Sequence, residues 1–99
     1  MIAVGSTDEV PEGTAREFEV SGRRITIWAI AGAYYALDSR CPHKGGPLAE
    51  GLVEGHTIIC PWHGWSFDLR SGERLNGLAA QIGCYRVRAS AGQLLVELR

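Results

Sequence analysis

The residues best suited to chemistry fall in two short runs, Cys41-Pro42-His43-Lys44-Gly45-Gly46-Pro47-Leu48 and Cys60-Pro61-Trp62-His63-Gly64-Trp65-Ser66-Phe67. Each run offers one thiolate and one imidazole on a Pro/Gly-rich loop, so Cys41, His43, Cys60 and His63 form a set of four metal ligands presented from two places. Binding a metal or metal cluster is the chemistry these residue types support.

Two cysteines and two histidines hold tetrahedral zinc in many small modules, where the cysteines usually share one knuckle and the histidines one helix. Here the order along the chain is Cys, His, Cys, His, and no helical period follows the second pair. That order favours a two-iron, two-sulfide cluster in which two cysteines hold one iron and two histidines the other. Each loop then reaches both metals, giving its Cys to one and its His to the other. Cys-x-His-x-Gly at Cys41, His43 and Gly45, with Cys-x-x-His-Gly at Cys60, His63 and Gly64, resembles the two-loop signature of Rieske-type [2Fe-2S] proteins.

The resemblance implies that Cys41 and Cys60 fix the buried iron as thiolates. His43 and His63 would bind the outer iron through one ring nitrogen each and present the other to solvent, where it couples the cluster to protons and partners. Gly45, Gly46 and Gly64 have no side chain to keep backbone N–H groups away from the cluster sulfurs. Pro42 and Pro61 stiffen the loops, and Trp62 and Trp65 offer apolar cover. Lys44 reads as solvated or as a contact for an acidic partner. The high-potential, membrane-attached branch of the family carries an extra, disulfide-bonded cysteine in each loop and two hydroxyl donors near the sulfurs. This chain has Gly46 and Trp62 at the first pair of positions and Trp65 and Phe67 at the second. Fewer donors leave the extra negative charge of the reduced cluster less stabilised, which implies a potential toward the low end of the Rieske range, near about −150 mV. The chain thereby resembles the ferredoxins that serve bacterial aromatic-ring-hydroxylating oxygenases. It departs from the family at Leu78, after Gly77, where a proline often begins a third, covering loop.

The elements that must position these loops read as strands. Glu17 to Val20 alternates, with Phe18 and Val20 on one side. Arg24 to Ile30 alternates again, with Ile25, Ile27 and Ala29 on one face. Tyr34 to Asp38 follows, and Ser21-Gly22 and Ala31-Gly32 supply the turns of a three-stranded meander leading into the first ligand loop. Gly51-Leu52-Val53 and Thr57-Ile58-Ile59 flank a tight turn at Glu54-Gly55-His56. Ser66 to Leu69 forms a further arm before the Arg70 to Glu73 turn. A last pair, Tyr85 to Arg88 and Leu94 to Leu98, is joined through Ser90-Ala91-Gly92. Ser6 with Glu9 caps a single helical turn before Pro11. His56 reads as a turn residue without a partner, and Cys84, opening a strand, as a buried apolar residue. The expected architecture is all-β. The resemblance implies a Rieske-like antiparallel β-sandwich base with an inserted cluster-binding subdomain at about 40–67, within a single domain spanning 1–99. The ligand loops, rich in Gly and Pro, read as having little core of their own, so the cluster is expected to be their main cross-link.

Composition bounds what surrounds this site. At 99 residues and a formal charge of −1, with acids and bases interspersed, the chain lacks the basic stripe of a nucleic-acid or membrane-surface binder. Three cysteines are too few for a disulfide scaffold, and residues 1–13 lack the basic and apolar regions of an export signal. The protein is expected to be cytoplasmic and monomeric. An oxygenase would need a second, mononuclear iron site, and only His56 remains once the cluster has taken its two histidines. The resemblance therefore implies not an enzyme but a one-electron carrier, with one [2Fe-2S] cluster per chain, passing electrons from a flavoprotein reductase to a terminal oxygenase. Two alternatives are the Rieske small subunit of an NAD(P)H-dependent nitrite reductase and a zinc-stabilised binding module.

Overall fold

The structure, a computed structural model, describes residues 1–42, 45–62 and 64–98. It is nearly all-β, with strands β1 Ile2–Ser6, β2 Ala15–Val20, β3 Arg23–Ile30, β4 Ala33–Asp38, β5 Leu52–Glu54, β6 Thr57–Ile59, β7 Ser66–Asp68, β8 Cys84–Ser90 and β9 Gln93–Glu97. Six of these form one antiparallel sheet in the order β1-β9-β8-β4-β3-β2, and β5-β6-β7 form a second. Val4 of β1 and Phe18 and Val20 of β2, at opposite edges of the large sheet, pack into one core with Ile25, Ile27, Leu94 and Val96. The sheet is therefore curled around that core as a sandwich-like base. No helix among the described residues is long and apolar enough to cross a membrane.

The meander and the last hairpin turn where the sequence places them. Ser21, Ala31 and Ala91 all have φ of 52°, each followed by a glycine at φ 78–82°. Two consecutive residues at positive φ twist the chain in the sense that matches the flanking strands, and glycine at the second of them avoids half of the strain. At Ala31-Gly32 both N–H groups donate to the Glu12 carboxylate, at 2.6 and 2.9 Å. Ser6 caps a single turn at Thr7–Glu9 in a reciprocal capping box. Ile2, Ala3 and Val4 belong to the edge strand β1, which pairs with β9.

β3 is buried on both sides. Ile25, Ile27 and Ala29 face the base core, while Trp28 joins a second core with Leu37, Cys41, Leu48, Ile58, Cys60, Phe67, Leu69 and Ile82. This second core corrects the expectation that the ligand loops have little core of their own. Leu48, Ile58, Phe67 and Leu69 are each fully buried, so apolar packing as well as any metal ties the loops to the base.

Two further expectations are overturned. Cys84 is exposed rather than buried, because it takes the outward position next to the inward Tyr85 on β8. Its thiol donates to the Arg70 carbonyl at 3.4 Å. His56 is not without a partner: its ring meets Tyr35 edge-on with centroids 5.7 Å apart, and its carbonyl accepts from the Leu69 N–H at 2.7 Å.

Candidate metal centre

The two ligand loops are closed in the same way. In the first, Arg40 and Pro47 form a bridge and the Cys41 N–H donates to the Gly46 carbonyl at 2.9 Å. In the second, β6 and β7 form the stem and the Cys60 N–H donates to the Trp65 carbonyl at 2.7 Å. Each cysteine thus sits at the neck of its loop with its backbone donor satisfied inside the loop. The neck of the first loop is also pinned to β3: the Ser39 N–H donates to the Arg24 carbonyl, and the Ser39 and Thr26 hydroxyls, both buried, share a 2.8 Å hydrogen bond.

Cys41 and Cys60 are 1% and 2% exposed, in neither case as part of a disulfide. Burial holds the Cys60 thiol above its ordinary value, the nearby Cys41 thiol adds to this, and the Trp62 N–H pulls the other way. The Trp62 N–H lies 3.4 Å from Cys60 Sγ. Two buried sulfurs side by side repel as thiolates unless a cation lies between them. The floor of the site is cut to sulfur's size: a Cβ on Gly46 would come within 2.7 Å of Cys60 Sγ and 3.2 Å of Trp62 Cγ. The other two ligand candidates, His43 and His63, lie outside the described residues, as does Lys44.

A family model for the Rieske [2Fe-2S] domain matches residues 1–86. The chain belongs to this Rieske family. Among curated relatives, the ferredoxin component of the naphthalene 1,2-dioxygenase/salicylate 5-hydroxylase systems of a Ralstonia species is 30% identical over 92 residues, covering 92% of this chain and 88% of its own length. Among solved structures, the ferredoxin of carbazole 1,9a-dioxygenase from Nocardioides aromaticivorans superposes with a TM-score of 0.89 over 99% of this chain and 97% of its own, at 24% identity, which bears on the fold. A ferredoxin from a complex of reduced oxygenase and oxidized ferredoxin in carbazole 1,9a-dioxygenase superposes at 0.84, with 25% identity over 96% of this chain and 90% of that one.

The described residues fit a Rieske cluster. Paired buried sulfurs, a side-chain-free floor and a backbone donor on Cys60 Sγ match the thiolate half of such a site. The Gly45 N–H is taken by the Cys41 carbonyl at 2.8 Å, so among the described residues the backbone donor that reaches a cysteine sulfur is Trp62, and Gly46 contributes room. Of the two tryptophans, Trp62 is 48% exposed, whereas Trp65 packs against the second core and against Phe67, ring centroids 6.3 Å apart.

Two residues of this neighbourhood escaped the sequence reading, Arg74 and Asn76. The Asn76 amide donates to the Gly64 carbonyl at 3.0 Å and accepts from the Ser66 N–H at 2.9 Å. The Arg74 guanidinium lies over the Trp65 ring, its Cζ 3.3 Å from the ring centroid. Asn-Gly reads as a turn in sequence, and nothing local announces its contact with a loop twelve residues away.

Proposed function

We propose that this chain is a one-electron carrier that shuttles between a flavoprotein reductase and a terminal oxygenase and catalyses no substrate reaction itself. The observation that carries the reading is the pair of adjoining buried thiols at the necks of two identically closed loops, in a chain whose relatives over nearly their whole length are ferredoxin components of dioxygenase systems. Cys41 and Cys60 hold one iron, and His43 and His63 the other. The cluster supplies a site that accepts and returns a single electron. The protein holds the sulfurs in a dry core, fixes the loop necks so that little rearranges on reduction, and leaves Trp62 at the surface beside the site. We read residues 1–99 as one Rieske domain, with about 40–67 as its cluster-binding part, and the protein as a cytoplasmic monomer.

The test is analysis of protein purified without oxygen. Two irons and two acid-labile sulfides per chain, with uptake of one electron, are expected. Stoichiometric zinc without iron would mark a structural zinc module instead. Reduction by a flavoprotein reductase and reoxidation by a terminal oxygenase, each followed by visible absorbance, then tests the place in the chain of carriers.

A further inference from the structure

The second ligand loop is held from outside by the segment that follows β7. Phe67 and Arg74 form a bridge, the Leu75 N–H donates to the Ser66 carbonyl at 2.8 Å, and the Asp68 N–H to the Glu73 carbonyl at 2.9 Å. Residues 73–75 therefore run as a short extra strand beside β7. From its end, the Asn76 side chain engages backbone groups on both sides of Trp65. Arg74 reaches over the Trp65 ring, and its Nη1 donates to the Leu78 carbonyl at 3.1 Å. Gly77 leaves room for this: a Cβ there would come within 2.7 Å of Arg74 Nη2. Arg74 is half-buried, its Nε is covered, and among the described residues no carboxylate pairs with it.

A guanidinium carries its charge at every accessible pH. Here it is held on the face of the residue whose carbonyl accepts the Cys60 N–H. Were the role packing alone, a neutral side chain would cover Trp65 without the cost of desolvating a cation.

We propose that Arg74 is a positioning residue that also sets the redox equilibrium of this carrier: stacked on Trp65 and aligned by the Asn76-anchored loop, its fixed charge favours the reduced state. The inference rests on the electron-carrier reading. Reduction adds one negative charge to the site, and a cation in a partly desolvated position attracts it more strongly than a solvated one does.

The experiment compares wild type, Arg74→Gln, Arg74→Lys and Asn76→Ala, each loaded with its cluster, by protein-film voltammetry and by electron paramagnetic resonance of the reduced state. Arg74→Gln is expected to disfavour reduction by roughly tenfold, which is about 59 mV for a one-electron couple, with the resonance positions retained. Arg74→Lys, keeping the charge, should stay near the wild-type potential. Asn76→Ala should move the potential part of the way in the same direction and, in metal-free protein, speed exchange of the Ser66 amide. Equal shifts for Arg74→Gln and Arg74→Lys, or none for Arg74→Gln, would overturn the proposal. Wild-type protein without iron would instead overturn the carrier reading, so the two failures are distinct.

Discussion

Gly46→Ala tests whether the floor of the site is shaped around sulfur. The backbone at Gly46 does not need positive φ, so alanine brings no conformational strain and its whole effect is the added methyl. That methyl would lie 2.7 Å from Cys60 Sγ and 3.2–3.3 Å from Trp62 Cγ and Cβ, against an ordinary contact of 3.4–4 Å. The sulfur must retreat by roughly 0.7 Å or the loop must open, and a buried cysteine has no flexible end to swing aside. Overpacking of this kind costs about 1–3 kcal/mol. In a domain of this size each kcal/mol lowers Tm by roughly 4–8 °C. Gly45→Ala is the control: φ is +72° and none of the described residues lies within 4 Å of the new methyl, so it carries left-handed strain of about 1–2 kcal/mol without a clash against them. Iron content and visible absorbance should drop for Gly46→Ala and hold for Gly45→Ala, and Tm should fall in both. Full iron occupancy with wild-type Tm in Gly46→Ala, or greater cluster loss in Gly45→Ala, would refute the reasoning.

Cys60→Ser should abolish iron binding yet leave β5–β7 folded, since Ile58, Phe67 and Leu69 keep their apolar neighbours; far-UV circular dichroism and amide exchange of the metal-free variant check this. Phe67→Tyr adds a hydroxyl at a fully buried ring; if it donates to the cluster, the midpoint potential should rise on the order of 40 mV, from about 1 kcal/mol of redox-dependent hydrogen bonding, and a wild-type potential of about +200 mV or higher would contradict the low-potential assignment. Asp68 is held below the usual carboxylate range chiefly by its side-chain hydrogen bonds to Arg70. The stability it contributes is present above its unfolded value near about pH 4 and is lost as pH falls through the lower folded value. Wild type should therefore exceed Asp68→Asn in thermal stability at neutral pH, with the gap closing in acid.

The meander was legible because period-two alternation and X-Gly turns are local signals, and the metal ligands because cysteine and histidine are scarce and the loops are punctuated by Pro and Gly. Trp28 and Thr26 were harder to place. Alternation points them away from the base core, and only the second sheet, arriving some thirty residues later, turns that side of β3 into an interior. Cys84 misled because cysteine is usually buried, while its side of β8 is fixed by register with β9 and β4. Arg74 and Asn76 act through long-range polar contacts that leave no periodic trace. The shape of the third loop, in doubt because Leu78 stands where the family often has a proline, comes instead from their contacts with Trp65 and the backbone around it.

A strand with both faces buried has no side on which the protein can give way independently. Because β3 hangs Ile25 and Ile27 in one core and Trp28 in the other, melting either layer exposes the backbone wall of its neighbour. The two layers are therefore expected to melt as one cooperative unit, with a calorimetric enthalpy that matches the van 't Hoff value in metal-free protein. Loss of the metal would then be felt as a lowering of a single transition rather than as the appearance of a second one.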